Sequence, residues 1–179
     1  MVLESKDVKL RPYRHSDIPL IYEAVSESKE DGLPWIPWMT SNYTEEDAEA
    51  FVQYAQQSWN NGDEYNFAIT DSDMGTFLGG CGINQLNRVH HFGNLGYWVR
   101  SSKTGRGVAT MAARLTAWFA FEELKLSRVE FIIQPENKGS IRVAEKVGAQ
   151  KEGLLRNRVD IRGSIKDALV FSLIPRDVN

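Results

Sequence analysis

One cysteine, Cys81, and three histidines are the whole stock of thiol and imidazole in this 179-residue chain. A single thiol closes no intrachain disulfide, rules out a multi-cysteine metal cluster and fits a reducing compartment. His90 and His91 are adjacent, so in a strand they point to opposite sides, and no metal site is expected. No apolar run approaches roughly 18 residues, so no membrane-spanning helix is expected. The opening MVLESKDVKLRPYR lacks the apolar stretch and cleavage site of a secretion signal, and the cytoplasm is the expected location. Neither sign of charge dominates, with 21 basic and 24 acidic residues. A nucleic-acid binder carries a large basic surface, so no direct nucleic-acid binding is expected.

What is present reads as one domain over residues 1–179. Val8 to Arg14 alternates as a strand. Asp17 or Ser16 caps a helix to about Lys29, with Ile18, Ile21, Tyr22 and Val25 inward. Gly32 to Ser41, GLPWIPWMTS, is too proline-rich for regular helix. Thr44 with Asp47 starts a second helix to about Trp59. Tyr65 to Thr70 and Thr76 to Leu86 read as a hairpin. Gly79, Gly80 and Gly82 mark a bulge, a bend or a close backbone approach. Phe92 to Arg100 is a third antiparallel strand. A helix over Val108 to Leu124 follows, with Met111, Ala112, Leu115, Trp118 and Phe119 inward. Val129 to Ile133 is a short apolar strand, and Asn137 caps the next helix. A last antiparallel pair turns at Arg162-Gly163. The order predicts an α/β fold: a mixed, mostly antiparallel sheet of about seven strands flanked by helices.

The most informative stretch is Asn94 to Ala109, NLGYWVRSSKTGRGVA. An apolar strand leads into a glycine turn that opens a long helix. Unpaired N–H groups at a helix start, approached through glycines, make an anion site suited to phosphate or pyrophosphate. The Walker pattern GxxxxGK[ST] is absent. The dinucleotide fingerprint GxGxxG fails because Thr110 stands where the third glycine belongs.

These residues resemble the GCN5-related N-acetyltransferase superfamily, and within it the ribosomal-protein alanine/serine N-acetyltransferase branch. Thr104, Gly107 and Ala109 occupy the first, fourth and sixth positions of the Arg/Gln-x-x-Gly-x-Gly/Ala motif. Gly96-Tyr97-Trp98-Val99 matches the GYW strand. Asn137 to Ala149 matches the N-x-x-S helix, and Leu10-Arg11-Pro12 with Asp17 matches the opening. Two positions depart. Thr104 replaces Arg or Gln, and Asn94 stands where many relatives carry Glu.

The resemblance implies an acetyl-CoA-dependent transfer to a primary amine, the sheet splayed at the acetyl-CoA site. It implies cofactor binding by Trp98, Val99, Arg100, Thr104, Gly105, Arg106, Gly107, Val108, Ala109, Thr110, Asn137 and Ser140. Lys103 adds charge. Val99 stands beside the thioester with a backbone N–H for the oxyanion. Ser140 is the candidate acid for the leaving thiolate. Asn cannot serve as a base, so the amine's proton goes either to water or to an acidic residue, for which Glu64, ahead of Asp63, is the candidate. Trp35, Trp38, Asn84, Asn94 and Tyr97 are candidates for the acceptor cleft. The acceptor is a protein N-terminus or a small amine such as a polyamine, amino sugar or aminoglycoside, and the protein a monomer or homodimer. The third reading is a non-catalytic acyl-CoA-binding module.

Overall fold

A computed structural model describes residues 1–73 and 75–178. Eight strands form one sheet: β1 (Leu3–Glu4), β2 (Val8–Pro12), β3 (Tyr65–Asp71), β4 (Phe77–Asn87), β5 (Phe92–Val99), β6 (Arg128–Ile133), β7 (Gln150–Ile161) and β8 (Ser164–Leu173). Their spatial order is β1-β2-β3-β4-β5-β6-β8-β7. Every neighbouring pair is antiparallel except β5 and β6. The fold is the mixed, mostly antiparallel sheet expected. The short β1 is an addition, too brief for any periodicity to announce.

Four α-helices flank the sheet: α1 (Ile18–Gly32), α2 (Glu45–Asn61), α3 (Val108–Glu122) and α4 (Lys138–Lys146). Thr44 caps α2 with Asp47 in a reciprocal capping box, and Gly62 ends it in a left-handed conformation. Residues Ile18, Ile21 and Val25 of α1 pack with Ala48 and Val52 of α2 over Ala68 and Phe77. Elsewhere α3 and α4 lay Ala113, Ala117, Ala120, Ala144 and Val147 against Val129 and Phe131. Small side chains on α3 let the helix approach the sheet closely. The expected inward face therefore needs correction: Trp118 is 47% exposed. Tyr22 likewise faces out, and Ala24 is buried in its place.

Asp17 occupies the N-cap position of α1, but its side chain makes no capping hydrogen bond to that helix. Its carboxylate accepts two hydrogen bonds from the Arg11 guanidinium, both 2.7 Å, and one from the Arg14 N–H at 2.8 Å. These bonds make its full burial tolerable. Gly80 in β4 is a close-approach glycine. A Cβ there would lie 2.2 Å from the Tyr13 hydroxyl and 2.8 Å from the Trp98 ring nitrogen.

Candidate active site

The parallel pair β5/β6 comes apart after three residues. Phe92, Gly93 and Asn94 pair with Arg128, Val129 and Glu130. Beyond them β5 pairs with β4 alone, through Gly79↔Val99, while β6 continues along β8. The Arg100 N–H donates to Leu78 O at 2.9 Å, on the β4 side. Strand alternation then turns the Val99 main chain the other way, into the gap. An unpaired strand edge there is a template for a peptide-like chain.

A cavity of about 570 Å³ opens where the strands splay. It is lined by Tyr97, Trp98 and Val99, by Thr104, Gly105 and Gly107, and by Val108, Ala109 and Thr110 at the start of α3. Lys103, Asn137 and Ser140 complete this side. Gly105 and Gly107 have φ of +74° and +82°, and a Cβ at either would meet nothing within 4 Å. The turn is thus left-handed and open on its outer side. Gly107 caps α3, whose first turn holds no carboxylate, and Met111 N bonds back to Gly107 O. The N–H groups of Val108, Ala109 and Thr110 are left for an outside acceptor. Glycine turn, free donors and Lys103 fit a pyrophosphate, and the open strand edge fits the amide-bearing arm of CoA.

Two side chains expected at the cofactor do not line this cavity, although both residues border the glycine turn. Arg106 is exposed and does not line the cavity. Arg100 turns to α1, where its guanidinium bonds Glu23 at 2.7 Å and Glu27 at 3.0 Å. The Arg100 hydrogen bond holds the Glu27 carboxyl down at about 2. Glu27 also accepts from Ser102 N, and Ser28 Oγ from Ser101 N at 3.0 Å. Ser101 Oγ bonds Asp31. Helix α1 therefore grips residues 100–102, just before the glycine turn. Nothing in local sequence announces this, because the partners are about seventy positions apart.

A second cavity, about 350 Å³, shares Trp35, Ile36, Tyr97, Asn137 and Ser140 with the first. Its own lining includes Trp38, Asn84, Gln85, Asn94, Gln134 and Arg158. Trp38 is 45% exposed yet meets Trp98 edge-on at 5.7 Å, so it both packs and walls the opening. The loop carrying both tryptophans is pinned by Arg162. Its guanidinium donates to the carbonyls of Ile36, Met39 and Leu33. Asn94 Nδ2 donates to Asn84 Oδ1 at 2.9 Å, while Asn94 Oδ1 is buried without a partner.

Glu64 lines neither cavity; its carboxylate takes a hydrogen bond from Asn66 Nδ2 at 3.2 Å. Asp63 is also outside both. Among the described residues, no carboxylate or histidine lines the second cavity. Gln85 and Arg158 escaped sequence analysis because they lie on strands far apart in sequence and in the sheet order, and only the folded chain brings their side chains together.

Where the cavities meet, Asn137 Oδ1 accepts from the Ser140 N–H at 3.0 Å, capping α4. The Tyr97 hydroxyl donates to Ser140 O at 3.2 Å, and burial pushes that phenol up to about 12. Cys81 is buried under a hydrogen bond from Thr116 Oγ1, its thiol pushed up to about 12 by burial. It lines neither cavity. No group of three His, Cys, Asp or Glu side chains among the described residues is placed to hold a metal ion.

A splayed sheet with a glycine turn on one side and an aromatic-walled acceptor cavity on the other defines an acyl-CoA-dependent transferase. Residues 7–150 match the acetyltransferase (GNAT) domain model, and the chain belongs to that family of acetyl-CoA-dependent acetyltransferases. It is 34% identical over 98% of both chains to the probable N-acetyltransferase YjcK of Bacillus subtilis. It is 25% identical, over 90% of this chain and 83% of the relative, to spermidine N(1)-acetyltransferase of Escherichia coli. A Vibrio cholerae structure, named as a ribosomal-protein-serine acetyltransferase, superposes with a TM-score of 0.84 at 26% identity over 98% of both chains. Mycobacterium smegmatis RimJ in complex with CoA-disulfide superposes with a TM-score of 0.87 at 26% identity, over 96% of this chain and 83% of that one.

Proposed function

We propose that this protein acetylates the α-amine of a protein or peptide N-terminus, a ribosomal protein being the first acceptor to test. The observation that carries the reading is the acceptor cavity, which has amide and aromatic walls and no carboxylate or histidine among its described residues. An α-amine has a pKa of about 7.7–8.0, so much of it arrives neutral and needs no strong base. A lysine amine near about 10.4 would need one. A polyamine would be favoured by acidic walls, which this cavity lacks. The name of the Vibrio cholerae neighbour supports the ribosomal acceptor.

Acetyl-CoA, when bound, supplies an activated thioester whose thiol is a fair leaving group. The turn from Gly105 to Ala109 and Lys103 hold its pyrophosphate. The Val99 N–H, facing the gap, would donate to the acetyl carbonyl oxygen as negative charge grows there. Ser140 borders both cavities, and its hydroxyl would relay a proton from water to the departing thiolate. Asn137 and Tyr97 fix Ser140 from both sides through its N–H and its carbonyl. The amine nitrogen would attack the thioester carbonyl carbon directly across the junction of the cavities, with the C–S bond breaking to release the CoA sulfur and the amine's proton passing to water. The buried Cys81 gives no support to an acyl-cysteine route.

The test mixes the protein and acetyl-CoA with alanine- and serine-terminated peptides that carry one internal lysine, and with spermidine and glucosamine. Mass spectrometry should find the acetyl group on the peptide α-amine. Acetylation confined to spermidine or glucosamine would transfer the protein to small-molecule chemistry. No thiol release with any amine would make it a binding module.

A further inference from the structure

Among the described residues lining the acceptor cavity, Arg158 is the one charged side chain. It is half-buried and, among the described residues, makes no ion pair; its side chain donates to Gln85 Oε1 at 3.5 Å. Two irregularities bring these residues to the cavity. The β4/β5 register shifts between Asn84 and Asn87, and the β7/β8 register shifts between Leu155 and Val159. Each contains a non-glycine residue in the left-handed region, Gln85 at φ +49° and Asn157 at φ +51°. Such conformations cost about 1 kcal/mol or more and re-aim the side chains beside them. Asp167, the nearest acid on β8, is engaged by Asn157 N at 2.9 Å. Asp167 keeps its charge and borders a neighbouring opening with Arg158, but no carboxylate among the described residues forms an ion pair with the guanidinium, which is planar and suited to one.

We propose that Arg158 selects acceptors carrying a carboxylate close to the reacting amine: peptide N-termini with an acidic residue among their first few positions. The inference rests on the N-terminal acetylation reading above. It excludes polycations, which the guanidinium repels.

The test measures KM for three amidated peptides, Ala-Glu-Glu-Ala, Ala-Gln-Gln-Ala and Ala-Lys-Lys-Ala, with free alanine and spermidine as further arms. The acidic peptide should have a KM at least about threefold below the neutral one, the scale of a partly solvated charge pair. R158Q should erase that difference, and R158E should invert the order in favour of the lysine peptide. CoA affinity by calorimetry should be unchanged in both variants, showing that they fold. A clear preference for free alanine would give the same guanidinium an amino acid's own carboxylate, supporting the recognition with a different source. Equal KM values for acidic and neutral peptides in the unaltered protein would overturn the inference and leave N-terminal acetylation standing. So would a preference unchanged in both variants. No acetylation of any peptide would overturn both.

Discussion

The hydroxyl of Tyr97 donates to the main-chain carbonyl of Ser140, tying β5 to the first turn of α4 at the point where the two cavities meet. The phenol, raised by burial, stays protonated through the physiological range and remains a donor. Y97F should cost about 1 kcal/mol of stability, the net worth of one hydrogen bond. It should lower kcat more than it raises the acetyl-CoA KM, because Ser140 loses its fixed position. S140A should show the same split. A loss confined to the cofactor KM in S140A would reassign Ser140 to binding.

The glycine turn gives a second expectation. Gly107 has open space around a would-be Cβ but a left-handed φ. G107A should therefore cost about 1 kcal/mol through backbone strain alone. G107D adds a negative charge beside the free donors of α3 and should weaken CoA binding at least about tenfold, one carboxylate against a dianionic ligand. Calorimetry on both variants separates the terms, and equal CoA affinity in a folded G107D would contradict the assignment.

The grip of α1 on the turn is pH-dependent in a stated direction. Glu27 normally ionises near 4.5 and is held at about 2, first by the Arg100 hydrogen bond. A depressed carboxyl stabilises the fold fully above its unfolded value, and that contribution disappears as pH falls through the folded one. Denaturant melts should thus show the unaltered protein more stable than E27Q at neutral pH. The gap should narrow between about pH 4.5 and about pH 2. A gap that is constant across that window would contradict the pairing.

Much of this was legible from local rules. The capping box at Thr44 and Asp47, the Asn137 cap and the Tyr65 to Asn87 hairpin are short-range patterns, and each stands in the fold. The glycine turn could be read because its chemistry lies in consecutive residues. Side chains whose fate depends on distant partners could not. Arg100, beside that turn, answers to carboxylates on α1. Asp17 is claimed by Arg11 rather than by its helix. Glu64 stands immediately before a strand, but strand position does not say which opening a side chain reaches. Trp118 follows helical period, yet the sheet takes the face of small residues beside it. Arg158 becomes a cavity residue only when the β7–β8 hairpin closes.

The proposed function rests on an amine that arrives neutral at a site with no dedicated base. The most direct measurement is the pH dependence of kcat/KM for two alanine-terminated peptides whose α-amine pKa values differ by about one unit. Such profiles report the ionisations of free enzyme and free substrate. The account predicts a rise that levels off at each peptide's own amine pKa, so the two profiles are displaced by that same unit. A limiting pKa identical for both peptides would reveal a proton acceptor on the protein and contradict the claim.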